Sequence, residues 1–111
     1  MPLIIQPHAL NADSQQYFAR VLSDQPQLLA SLADGQQRLL IEAIFNGQPV
    51  ALLLAEPANT GCTATALVVH PATRGRGVGT ELLIKGSVLL PAPVEWAGEL
   101  SRLAEKHLAN T

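Results

Sequence analysis

The chain has 111 residues, of which 48% are hydrophobic and only 14% charged. That length suits one domain, and the low charged fraction, against an average of roughly a quarter, excludes a disordered chain. Seven Lys+Arg against nine Asp+Glu leave a formal charge of -2, which disfavours a nucleic-acid surface. Cys62 is the only cysteine, so neither a disulfide framework nor a Cys-rich zinc site can form within the chain. Apolar runs such as Val50–Ala55 are too short to span a bilayer, and Met1–Ile5 lacks the basic start of a secretory signal. The expectation is a soluble, cytoplasmic, single domain over residues 1–111, without membrane contact.

Pro2–Ile5 reads as a first strand ended by Gln6-Pro7-His8. Asp13 and Gln16 have the spacing of a capping box, and Tyr17, Phe18, Val21 and Leu22 recur at helical spacing behind them. Pro26 opens a second helix with Leu28, Leu29 and Leu32 inward and Gly35 as its stop. Arg38–Phe45 and Gln48–Glu56 are strands joined by Asn46-Gly47, a strong hairpin signal. After a turn at Pro57–Gly61, which includes neither of its flanking strands, Thr63–His70 is the next strand. These strands are nearly continuous in apolar residues, so the meander is expected to be covered on both faces.

Ala72–Gly79 reads as a glycine-rich loop, and Thr80 starts a helix that Gly86 weakens and Pro91 or Pro93 ends. Val94–Ala97 is a short strand, and Glu99–Leu108 an amphipathic helix with Leu100, Leu103, Ala104 and Leu108 on one face.

The chemistry concentrates in Val69-His70-Pro71-Ala72-Thr73-Arg74-Gly75-Arg76-Gly77-Val78-Gly79. A strand feeds a glycine turn and then a helix start, where free N–H donors and a partial positive charge suit a phosphate. A P-loop requires Lys-Ser/Thr after its last glycine, and Thr80-Glu81 stands there instead. A dinucleotide fingerprint finds Glu95 twenty residues after Gly75, but Thr80 replaces its third glycine and a meander precedes it, so it ranks low.

The run Arg74-x-x-Gly77-x-Gly79 instead resembles the acyl-CoA signature of the GNAT superfamily (GCN5-related N-acetyltransferases). The order β-α-α-β-β-β-α-β-α is similar as well. The resemblance implies an α/β (α+β) fold: a mixed, mostly antiparallel central sheet with helices on both faces, here C-terminally short of the family's last two strands. It implies that acetyl-CoA is the co-substrate, its pyrophosphate held by Arg74, Gly75, Arg76, Gly77, Val78, Gly79 and Thr80. The pantetheine arm would pair with the main chain of Leu67, Val68 and Val69. An amine of a small molecule or protein would be the acceptor.

The chain departs from many relatives in having no carboxylate between Asn59 and Thr80 and no tyrosine in its last helix. Glu95 and Glu99, flanking the fifth strand, stand as candidate catalytic bases beside the plainer reading of a solvated edge and a helix-start carboxylate. His70 reads as a partly exposed cap, His107 as a cation at a helix end, Cys62 as inert in a turn, and Trp96 as core. The departures keep a second reading open, a non-catalytic acetyl-CoA-binding regulator similar to the GNAT-like maturation factor of aspartate decarboxylase. The outer edge of the fifth strand and the apolar face of Leu100–Leu108 lead to an expected homodimer or partner protein at that end.

Overall fold

The computed structural model describes residues 3–34 and 37–108. The expected start of the first strand at Pro2 and the helix stop at Gly35 lie outside the described residues. A five-stranded sheet runs in the order β1 (Ile4–Pro7), β2 (Leu39–Phe45), β3 (Gln48–Pro57), β4 (Cys62–Val69) and β5 (Val94–Trp96). The first four pair antiparallel, and β5 joins β4 in parallel. The helices are α1 (Ser14–Tyr17), α2 (Pro26–Ser31), α3 (Val78–Leu89) and α4 (Glu99–Leu108), with a 3-10 turn at Pro71–Thr73. This is the expected order of elements and the expected mixed sheet.

Local chemistry explains the hairpin. Asn46 and Gly47 both have positive φ, 53° and 75°, the geometry in which a two-residue turn matches the twist of its strands. Strand period then divides the apolar residues between two faces. Leu40, Leu52, Leu54 and Val68 meet Phe18, Val21, Leu22 and Leu32 on one side. Ile41, Ala51, Leu53 and Ala64 meet Val78, Leu82 and Leu100 on the other. Both faces are covered, as the continuous apolar strands required.

Several boundaries move for physical reasons. β1 extends through Pro7 because Gln6 and Pro7 pair with Glu42 and Ile41, and an outer strand tolerates proline. The capping box does not form. Asn11 Oδ1 accepts from the Asp13 N–H (2.8 Å) and Ser14 Oγ from the Asn11 N–H (2.9 Å), so α1 is one turn followed by further turns. Phe18 and Val21 are still fully buried. Cys62 belongs to β4 rather than to the preceding turn.

Helix α3 starts at Val78, two residues before Thr80, and ends at Leu89, where Leu90 is extended ahead of Pro91. A Cβ on Gly86 would stand 3.0 Å from Leu53 Cδ2 and 3.6 Å from Ile41 Cγ2. This glycine lets α3 lie close on the sheet, which offsets its helix penalty of about 1 kcal/mol. Leu103, expected inward, is 38% exposed, while Leu100 and Ala104 carry the contact of α4.

Candidate functional site

The site begins where β4 loses a partner. Cys62, Thr63 and Ala64 pair with Val94, Glu95 and Trp96, and the last bond runs from the Ala97 N–H to the Ala64 carbonyl at 3.0 Å. Beyond Ala64 only β3 accompanies β4. The pairing with β3 shifts register there: Leu54 faces Ala66 and Ala55 faces Ala64, so Thr65 is the extra residue of a β-bulge. Its Oγ1 donates to the Leu54 carbonyl at 3.3 Å.

The bulge reverses which main-chain groups face outward. Before it, the Cys62 N–H and Ala64 carbonyl point to the β5 side. After it, the His70 N–H donates to the Val50 carbonyl at 2.8 Å, so by alternation Val68 faces β3. The main-chain groups of Leu67 and Val69 therefore face the open edge. Of the three residues expected to pair with an extended ligand, Leu67 turns its main-chain groups there and Val69 its N–H, the Val69 carbonyl being taken by Arg74 Nε at 3.1 Å, whereas Val68 faces β3 and lines the cleft. The cleft, about 350 Å³, lies between this edge, Gln25 and Leu28 at α2, and Ala97–Leu100. Glu99 is the one charged side chain among its described lining residues. Glu95 is exposed on β5, opposite Thr63, and does not line the cleft.

The open edge runs directly into the glycine loop. His70 Nδ1 accepts from the Ala72 N–H at 3.0 Å, the cap expected of it. Gly75 and Gly77 have φ of 81° and 78°, and a Cβ on either would meet nothing within 4 Å. The first main-chain bond of α3 runs from the Glu81 N–H to the Gly77 carbonyl at 3.0 Å. The N–H groups of Val78, Gly79 and Thr80 precede it and have no intrahelical acceptor. A cavity of about 280 Å³ opens here, lined by Val69, Arg74, Gly75, Gly77, Gly79 and Thr80 among others. A Cβ on Gly79 would lie 3.2 Å from Val69 Cγ2, so this glycine permits close contact of α3 with β4. Free donors, a helix N-terminus and an unpaired strand edge in one line fit the phosphates and amide-bearing arm of acetyl-CoA.

The two arginines diverge. Arg74 lines the loop cavity, whereas Arg76 lines a separate cavity of about 230 Å³ with Leu3, Phe45 and Glu81. Arg74 Nε donates to the Val69 carbonyl at 3.1 Å, and its Nη2 donates to Asp24 Oδ2 at 3.0 Å. That hydrogen bond to Arg74 holds the Asp24 carboxyl below its usual range. Cys62 is 1% exposed and burial raises its thiol pKa, which makes it a poor nucleophile. Trp96 packs against the core under α3 and α4.

Glu42 is the polar residue that sequence reasoning passed over. It is 3% exposed in the middle of β2. Its Oε2 accepts from Gln6 Nε2 at 3.0 Å and lies 3.6 Å from His8 Nδ1, while Oε1 has no hydrogen-bond partner among the described residues. The His8 ring stacks on Tyr17 at 5.2 Å, and its Nε2 is 3.1 Å from Ser14 Oγ. Partial burial first, and then the nearby Glu42 carboxylate, raise the Tyr17 phenol pKa. The signal was a carboxylate inside the apolar run Leu39–Phe45. Glu42 shares a row with Leu52 and Val68, two strand spacings or roughly 10 Å from the cleft. It ties α1 to the sheet rather than facing the cleft.

The Acetyltransferase (GNAT) family model matches residues 7–92, and the chain belongs to this family, in which acetyl-CoA is the co-substrate. Its fold recurs in solved structures of low sequence identity. A ribosomal-protein-alanine N-acetyltransferase from Brucella melitensis biovar Abortus 2308 superposes with a TM-score of 0.70 at 16% identity, over 95% of this chain and 90% of that one. A GNAT family acetyltransferase from Streptococcus pneumoniae TIGR4 gives 0.62 at 14% identity, over 88% and 76%. An aminoglycoside 6'-N-acetyltransferase complexed with coenzyme A gives 0.60 at 19% identity, over 78% of this chain and 54% of that one. The matched region thus spans about half of the aminoglycoside enzyme. No curated protein sequence matches this chain significantly. Among the described residues, no helix is long and apolar enough to cross a membrane, and no His/Cys/Asp/Glu group is suited to a metal ion.

Proposed function

We propose that this chain is an acetyl-CoA-dependent N-acetyltransferase whose reaction takes place in the cleft between β4 and β5. One observation carries the reading: β4 parts from β5 after Ala64 and leads, with the main-chain groups of Leu67 and the Val69 N–H turned to the open edge, straight into the glycine loop. The N–H groups of Val78, Gly79 and Thr80 would hold the pyrophosphate, with Arg74 beside them, and Gly75 and Gly77 would allow the close approach. Arg76, turned to the neighbouring cavity, would contribute charge at longer range. Acetyl-CoA supplies an activated carbonyl when bound.

The amine nitrogen attacks that carbonyl, the C–N bond forms, the C–S bond breaks, and the thiolate leaves. The amine proton needs an acceptor in the cleft, and Glu99, a lining residue, would take it. Glu95 faces solvent and is the weaker candidate. The cleft orients the two reactants, which is the largest contribution expected of a site with so few charged groups. Family and fold do not favour the regulator reading over this one.

Binding and turnover test the proposal separately. CoA in millimolar excess is expected to raise Tm by mass action, and an unchanged Tm would overturn the loop assignment. Thiol release from acetyl-CoA with a panel of primary amines is expected for the wild type. Glu99→Gln should lower kcat by at least about tenfold without weakening CoA. Equal kcat in this variant would remove Glu99 from the mechanism.

A further inference from the structure

Arg74 is tied at two points that the loop alone does not require. Its Nε donates to the Val69 carbonyl at the open end of β4, and its Nη2 to Asp24, fifty residues away in sequence. Asp24 stands immediately before Gln25, the residue that precedes α2 and walls the cleft. Their side chains are 51% and 46% exposed, so the ion pair contributes little to folding. A guanidinium is a rigid plane of five N–H donors, and two anchors on different nitrogens set the orientation of that plane. Nη1 donates to no described residue, which leaves it for an anion in the loop cavity that Arg74 lines.

We propose that Asp24 is a positioning residue: it holds the Arg74 guanidinium toward the phosphate cavity and links the α2 wall of the cleft to the glycine loop. The inference rests on the acetyl-CoA reading of that loop. It makes Asp24 act only through Arg74, and only on ligands that carry the pyrophosphate. An Asp24 that merely competed with the phosphate for Arg74 would have the opposite effect on affinity.

Calorimetric titration with CoA, and with pantetheine as the ligand lacking pyrophosphate, tests this in the full chain. Asp24→Ala is expected to weaken CoA by about 3- to 10-fold while leaving pantetheine binding and the ligand-free Tm unchanged. Asp24→Glu should restore part of the affinity. Arg74→Ala should weaken CoA at least as much, and adding Asp24→Ala to it should cause no further loss. The difference should shrink as salt is raised. CoA binding that is unchanged or tighter in Asp24→Ala, or losses that add in the double variant, would overturn the positioning role alone. A wild type that binds no CoA would overturn the loop reading and this inference with it.

Discussion

Substitutions at the second and third glycines of the loop separate backbone conformation from side-chain packing. Gly77 has φ 78° and open space around its missing Cβ, so Gly77→Ala meets no clash and bears only the left-handed backbone penalty, about 1–2 kcal/mol. For a chain of 111 residues this lowers Tm by roughly 4–10 °C. Asparagine tolerates that conformation better and valine worse, which gives the expected stability order Gly, Asn, Ala, Val. Gly79 has no such φ. Its Ala variant gains about 1 kcal/mol of helix propensity and loses a similar amount against the Val69 methyl 3.2 Å away, for a net change within about 1 kcal/mol. Urea unfolding followed by the fluorescence of Trp96, the only tryptophan, measures both. A Gly77→Ala variant as stable as wild type, with the same m value, would refute the argument from φ. A large loss in Gly79→Ala alone would place the constraint in helix–strand packing instead.

Three further outcomes are expected. Tyr17 is the only tyrosine, so its ionisation can be read directly by absorbance. Its folded pKa lies above the ordinary 10.0, so the associated stability is present below pH 10 and is lost as pH rises through the folded value. Glu42→Gln should move the titration down toward 10 but not fully, because burial is the larger cause; an unmoved curve would refute the influence of the Glu42 carboxylate on Tyr17. Cys62, 1% exposed, should react with a thiol reagent only as fast as the chain opens, and prompt labelling of the native protein would contradict its burial. Gly86→Val should destabilise by about 1–3 kcal/mol in chemical unfolding, since its Cβ already meets Leu53 at 3.0 Å; a neutral result would mean that α3 can lift from the sheet.

What the sequence alone determined is local. Asn46-Gly47 specified a hairpin because both residues accept positive φ, and Gly75 and Gly77 marked a loop for the same reason. The nearly continuous apolar runs through Leu40, Ile41, Leu52 and Leu53 specified a sheet with two covered faces, and both clusters are present. Each of these depends on a residue's own backbone freedom or on neighbours a few positions away.

Tertiary structure decided the rest. The bulge at Thr65 is a two-against-one count with Leu54 and Ala55, and it has no signature within β4 itself. Through it the open edge presents Leu67 and Val69 rather than Ala66 and Val68. Two arginines one residue apart looked like a pair, yet Asp24 and Val69 hold Arg74 while Arg76 turns to another cavity. Glu42 became a buried polar centre only when Gln6, His8 and Tyr17 were brought around it. These contacts join segments tens of residues apart. They follow from strand register and helix placement, which are set by burial summed over the whole sheet rather than by the preference of any one residue.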